Sequence, residues 1–343
     1  MKLKNLYLGI IATAFLFTSC SSDDSIVNDI PLGAYDNGVL ILNEGNFGTP
    51  NASVSYISND LSTFQNNIFT VVNPTKVLGD VAQSLSFGDD KAYIIINNSN
   101  EVEVVNRYTF ASLGTITEKV ENPRYSLVLN RKLYVTNATS KAVTIYDATT
   151  YAYIASIPVG KTVEKIVAAN NKLYIMNGAY GSGNEVTVIN TATNTVKTTI
   201  TVEEGINSIE AKDGNVYVLC GNADKSKLFK INSSTDVATS IESTTLKDAV
   251  NMDIDGNKIY YTNGGSIYAI DLNAASFSET PLLTVPYTAY STFYGFGVID
   301  GKIYSGDAKG FTQDGVVTIY STSGTVLKTV TVGSGPNGFY SNN

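Results

Sequence analysis

A short tyrosine-centred segment recurs along this chain and constrains its fold more than any other feature. Lys91-Ala-Tyr93-Ile-Ile-Ile-Asn97, Lys132-Leu-Tyr134-Val-Thr-Asn137 and Lys172-Leu-Tyr174-Ile-Met-Asn177 are copies of one strand. Asn215-Val-Tyr217-Val-Leu219, Lys258-Ile-Tyr260-Tyr-Thr-Asn263 and Lys302-Ile-Tyr304-Ser-Gly-Asp307 continue the series, and Val39-Leu-Ile-Leu-Asn43 is a divergent seventh copy. The tyrosines lie 40 to 44 residues apart, the spacing expected of β-propeller blades.

Each copy sits within a four-strand unit, whose strands are labelled A to D in chain order. Strand A ends in a tight turn at Asn130-Arg131, Asn170-Asn171, Asp213-Gly214, Asp255-Gly256 and Asp300-Gly301, pairs that supply the positive φ a two-residue hairpin needs. Strand C alternates in period two and closes on Asn or Asp, as in Val143 to Asp147 and Val186 to Asn190. A Thr- and Ser-rich turn then leads to strand D. The chain opens on a B-type strand and ends on an A-type strand, Asn337 to Ser341. The expected fold is therefore all-β: a seven-bladed β-propeller with four antiparallel strands per blade, closed by pairing the C-terminal strand with the first blade. Closure of this kind protects the sheet edges.

In such a meander the A–B and C–D turns share one end of the ring, and the B–C and D–A loops share the other. The second set is variable in length and chemistry, so it is where a site can be grafted onto the scaffold.

The chain contains no histidine. That removes Ser-His-Asp and Cys-His nucleophilic systems and His-ligated zinc or haem. Gly178-Ala-Tyr180-Gly181-Ser-Gly183 has no helix after it and reads as a flexible loop, not a phosphate cradle. Asp253-Ile-Asp255-Gly256 lacks the further oxygens of a calcium loop. Glu44, Asp80, Glu121, Glu164, Glu204 and Asp307 fall near the variable end, but nothing in their spacing selects a catalytic or metal-binding set. A metal-dependent hydrolase is the weaker alternative, and no enzyme activity, resident metal or cofactor is expected. The net charge of −8 argues against nucleic acid, which requires a basic footprint.

Aromatic and amide residues of the variable face make a better case. The last long D–A region brings Tyr287, Tyr290 and Phe293, and the seventh-blade B–C insertion brings Asp307, Phe311 and Gln313. Across the closure lie Asn46 and Phe47, and Tyr180 sits in the glycine-rich loop. Arg124 and Tyr125 at one A strand and Asn337 at another complete the candidate ligand-binding set. Rings give rigid apolar contact while amides satisfy carbonyls and hydroxyls, a combination suited to a large polar small molecule. The Asn43, Asn97, Asn137, Asn177 and Asn263 series at the ends of B strands reads as a structural cap.

The amino terminus reads as a targeting segment. Lys2 and Lys4 precede an apolar stretch from Leu6 to Phe17, shorter than the roughly 20 residues a spanning helix needs. Leu16-Phe17-Thr18-Ser19-Cys20 resembles a bacterial lipoprotein signal, which implies a signal peptide over residues 1–19 and lipid on Cys20. Residues 20–36 read as a polar tether, and residues 37–343 as the propeller. If Cys20 carries lipid, Cys220 is left without an intramolecular disulfide partner.

That signal, the opening segment Gly38-Val-Leu-Ile-Leu-Asn43-Glu44-Gly45-Asn46-Phe47-Gly48 and the blade repeat together resemble the YncE-like surface propeller lipoproteins of Bacteroidota. The resemblance implies a monomeric, lipid-anchored outer-membrane protein exposed at the cell surface. It further implies capture of a nutrient, cobalamin or another corrinoid foremost, for delivery to a TonB-dependent transporter. A siderophore-binding propeller and a protein-interaction or structural propeller are the alternatives.

Overall fold

The computed structural model describes residues 31–343. The signal segment, Cys20 and most of the tether lie outside the described residues. Seven four-stranded antiparallel sheets follow one another along the chain, and their innermost strands neighbour each other around a closed ring. Blade 1 is composite: the C-terminal strand Pro336–Asn342 is its innermost member, followed outward by Gly38–Asn43, Ser53–Ser58 and Phe64–Gln65. Leu40 pairs with Tyr340 and Ile41 with Phe339 in that closing ladder. Blades 2 to 7 are each formed from consecutive strands, as the repeat predicts.

The core is divided among the blade junctions. Seven hydrophobic clusters each draw on two adjacent blades, and together they cover all seven junctions. A blade cannot bury its face alone, so the apolar residues of strands B and C are covered only by the next blade. The six repeat tyrosines are all buried. Tyr93 donates its hydroxyl to Ala148 O of the next blade at 2.7 Å, and Tyr174 donates to Asp236 Oδ1 at 2.7 Å. A buried phenol thus supplies both apolar area and one directed bond across the junction.

Local chemistry sets the turns. Asn130-Arg131 and Asn170-Asn171 have positive φ at both residues, as do Asp213-Gly214 and Asp300-Gly301. In blade 6 the register moves the turn by one residue: Asp255 pairs with Lys258, leaving Gly256-Asn257 at the tip. The acids and amides that close strand C cap their own turns. Asp147 Oδ1 accepts from the amides of Thr149 and Thr150 at 2.9 and 2.8 Å, and Asn106 and Asn232 repeat the arrangement.

Two local expectations change. Tyr35, placed in the tether by sequence, is 4% exposed and packs edge-on against Tyr56 and Phe110. The glycine-rich segment of blade 4 is ordered as a hairpin: Lys172–Ala179 and Ser182–Asn190 extend together, with Ala179 paired to Ser182. Tyr180 and Gly181 at its tip have φ of 53° and 77°. Among the described residues no helix is long and apolar enough to cross a membrane.

Candidate functional site

The innermost strands share a device that the repeat motif does not reveal. In six blades the pairing of strand A with strand B is interrupted near its start, at the end of the ring that carries the variable loops. A β-bulge of this sort re-aims a side chain that strict alternation would have placed elsewhere. The interruptions fall at Gln83, Arg124-Tyr125, Asn207, Asn251-Met252, Phe293-Tyr294 and Asn337. Three of these amides clasp the next blade. Asn207 Nδ2 donates to Ala249 O, Asn251 Nδ2 to Phe293 O, and Asn337 Nδ2 to Ala82 O, all at 3.0 Å.

A residue from each of these six bulges lines the axial channel, a cavity of about 500 Å³. Its wall carries charge from several blades. Lys165 of blade 4 forms an ion pair with Glu210 of blade 5. Asp253 of blade 6 accepts the backbone amides of Ile254 at 2.8 Å and Val298 at 2.6 Å. Burial, reinforced by the Glu210 carboxylate, pushes the Asp253 carboxyl up to about 7. Tyr294 of blade 7 donates its hydroxyl to Glu44 of blade 1. Burial raises the Glu44 carboxyl, while that hydrogen bond and the Arg124 charge oppose the rise.

Above it, and sharing Glu44, Gln83 and Tyr294 with it, a second cavity of about 570 Å³ opens onto the variable-loop face. Arg124 Nε donates to both carboxylate oxygens of Glu164 on one side of this region. Burial raises the Glu164 carboxyl, and the guanidinium pulls against that rise. Asn97 and Asn122 add amides to the wall. Phe47 and Tyr180 line the same cavity although they are 81% and 96% exposed. Phe311 meets Tyr294 edge-on at 4.8 Å, and Asn46 Nδ2 donates to Phe311 O at 2.8 Å. The arrangement offers exposed rings around a polar, partly charged mouth.

The residues singled out by sequence do not all converge. Asn46, Phe47, Arg124, Tyr180 and Phe311 meet in the upper cavity, and Tyr125 and Asn337 line the channel beneath it. Gln313 lines a separate cleft beside the upper cavity. Tyr287 and Tyr290 are 54% and 90% exposed and line neither cavity. Asp307 accepts from Ser291 Oγ at 2.6 Å and pairs with Lys309, which organises the turn leading to Phe311. Phe293 departs from expectation: it is 3% exposed and packs against Phe296 in the core between blades 6 and 7. The bulge sends Tyr294, its neighbour, to the channel instead.

Gln83, Lys165, Glu210, Asp253 and Tyr294 were not anticipated as lining residues. Their common signal is position, in or next to strand A. In the blades of Gln83, Glu210, Asp253 and Tyr294 a bulge shifts the alternation, whereas Lys165 immediately precedes a regular strand. The loop acids do not converge. Asp80 accepts Gly48 N and Glu204 accepts Gly183 N, while Glu44, Glu164 and Asp307 are engaged as described. Among the described residues no group of three or more acidic or sulfur ligands suits a metal ion. The B-strand asparagines serve as caps and clasps: Asn137 Oδ1 accepts Glu121 N at 2.8 Å, and Asn97 Nδ2 donates to Pro123 O at 2.8 Å.

Comparison with solved structures places this fold among known propellers. The chain is similar to a quinonprotein alcohol dehydrogenase-like protein from Bacteroides thetaiotaomicron, at 15% identity and a TM-score of 0.72, covering 90% of this chain and 79% of that one. It is also similar to a protein from Lactobacillus plantarum, at 13% identity and a TM-score of 0.65 over 89% and 98% of the two chains. AztD from Citrobacter koseri matches at 13% identity and a TM-score of 0.56 over 88% and 97%. At these identities the likeness is one of fold. A search of curated proteins finds no match. The family model described as a domain of unknown function, DUF5074, matches residues 37–335. The chain belongs to the DUF5074 family, and its domain is a seven-bladed β-propeller.

Proposed function

We propose that this protein is a surface-exposed lipoprotein that captures a nutrient small molecule on the variable-loop face. In this reading the ligand is a corrinoid, cobalamin foremost, handed to a TonB-dependent transporter of the outer membrane, and it is bound without being converted. The observation that carries the reading is the pair Phe47 and Tyr180, 81% and 96% exposed yet lining one cavity with Arg124 and Gln83. Large apolar side chains held in water around a polar concavity mark an interaction site. A corrinoid is a broad macrocycle fringed with carboxamides, so rings match its face and Gln83, Asn97 and Asn122 match its edge. The lipoprotein-like segment ending at Cys20 supports the surface location.

Calorimetric titration of the purified protein with cyanocobalamin tests this. One-to-one binding is expected. Absence of heat, together with absence of competition in a displacement assay, discards the corrinoid and makes siderophores the next class to titrate. The second reading, an interaction propeller, draws on Tyr287 and Tyr290, which are exposed outside the cavity. It predicts protein partners and no small-molecule binding.

A further inference from the structure

At the seam between blades 7 and 1 the variable-loop face holds another cleft with a different chemistry. Its volume is about 370 Å³, and small-molecule sites span about 300–1,000 Å³. The walls are fixed by bonds within the protein. Asn46 is tied to Phe311 O, and Asn51 Nδ2 donates to Asn46 Oδ1 at 3.1 Å. Asn66 Nδ2 donates to Thr331 O at 2.9 Å while its Oδ1 accepts Ser55 Oγ at 2.7 Å.

Within that rigid frame several polar groups are unspent. Asn67 has a φ of 55° at the start of the short helix Ile68–Val72, yet its side chain makes no capping bond. Gln313 and Asp314 are exposed at the cleft. Ser334 Oγ is buried in the wall and has no protein partner. A buried hydroxyl without a partner costs about 1–3 kcal/mol, a cost that a ligand hydroxyl within its reach would relieve.

The composition of the cleft narrows what that is. No Lys or Arg lines it, which gives an anion nothing to pair with. A single carboxylate, Asp314, falls short of the six to eight oxygens around calcium, with charge from several acids. An apolar ligand would strand the amides. A hydroxyl both donates and accepts, so it satisfies the N–H and C=O ends of an amide equally well. Phe311 adds an aromatic residue to the lining, the kind of side chain on which a C–H face packs. We infer that this cleft binds a neutral saccharide, with one hexose unit of an oligosaccharide seated among Asn67, Gln313, Asp314 and Ser334. Those residues do not line the corrinoid cavity, although Asn46 and Phe311 border both.

Saturation-transfer NMR on the purified protein tests the inference with maltotetraose, mannotetraose and a galactotetraose as neutral probes, and 3′-sialyllactose as the anionic control. Saturable binding of at least one neutral probe is expected, with none of the sialylated one. The Asn67→Ala/Gln313→Ala double variant should lose affinity about tenfold, the loss of two hydrogen bonds of ordinary strength. Ser334→Ala should weaken binding severalfold while leaving the thermal midpoint unchanged or higher, because its hydroxyl has no partner in the free protein. Tyr180→Ala should leave saccharide binding as it was, which separates this site from the corrinoid mouth. Failure of all three neutral probes overturns the inference, as does undiminished affinity in the folded double variant or in Ser334→Ala. Equal or tighter binding of the sialylated control would also overturn it.

Discussion

Arg124 donates its Nε to Glu164 Oε1 at 2.9 Å and to Oε2 at 3.0 Å, joining blades 3 and 4 beside the mouth of the channel. Their side chains are 15% and 7% exposed. Removing one partner of a pair this buried leaves an uncompensated charge. Glu164→Ala should therefore destabilise the protein by about 3 kcal/mol, read as a shift in urea denaturation with an unchanged slope. A loss under about 1 kcal/mol, the ceiling for most exposed pairs, would show that solvent already screens the contact.

The exposed rings are predicted to separate by position. Tyr180→Ala and Tyr290→Ala should each change stability by less than about 0.5 kcal/mol, the ordinary range for surface substitutions. Only Tyr180 lines the upper cavity. Its removal should weaken cyanocobalamin binding about tenfold, while removal of Tyr290 leaves the affinity within a factor of two. Equal losses would extend the site across the whole face.

Stability should decline as pH rises from about 4 towards 7. Burial, and after it the Glu210 carboxylate, push the Asp253 carboxyl up to about 7 in the folded protein, against a usual value of 3.8. Between these values the folded state binds the extra proton, so the unfolding free energy falls with increasing pH. Glu44 and Glu164 are raised as well and act in the same direction. The chain has no histidine to obscure the effect. Denaturation curves from about pH 4.5 to 7 should show this decline in the natural protein and a flatter dependence in Asp253→Asn. Parallel slopes for the two proteins would contradict the assignment.

Closure of the ring rests on the last strand. Deleting Pro336–Asn342 removes the inner member of blade 1 and exposes Val39, Leu40, Ile41 and Leu42, which are fully buried. It also removes the Asn337 bonds to Ala82 O and Gln83 O at 3.0 and 3.1 Å. The truncated chain should not fold cooperatively, which near-ultraviolet circular dichroism would show as loss of the tyrosine signal. A native spectrum would mean that blade 1 stands on three strands.

Much of this architecture is legible in the residues, because each element repeats a physical requirement. The buried tyrosines, the Asn-Asn and Asp-Gly turns and the Asx caps recur in blade after blade, and the A-type segment at the C-terminus foretells the composite blade. The site is less legible. Phe293 and Tyr294 are adjacent aromatics, and period-two alternation gives no means of telling core from channel once a bulge intervenes. Lys165, Glu210 and Asp253 come from three blades. Glu210 and Asp253 both pair with the repeat tyrosine of their own blade, but the equivalent positions elsewhere are not charged, so the repeat alone does not mark them. Tyr180 was found, but as part of a loose loop; two positive-φ residues turn it into the tip of a projecting hairpin.

The central claim is that the rings at the mouth capture a small molecule. Its most direct test is parallel calorimetry of the natural protein and a Phe47→Ala/Tyr180→Ala variant against cyanocobalamin, after circular dichroism has verified that both are folded. One-to-one binding by the natural protein and at least about a hundredfold loss in the variant, some 2.8 kcal/mol, is the predicted result. Binding of equal strength in both would contradict it.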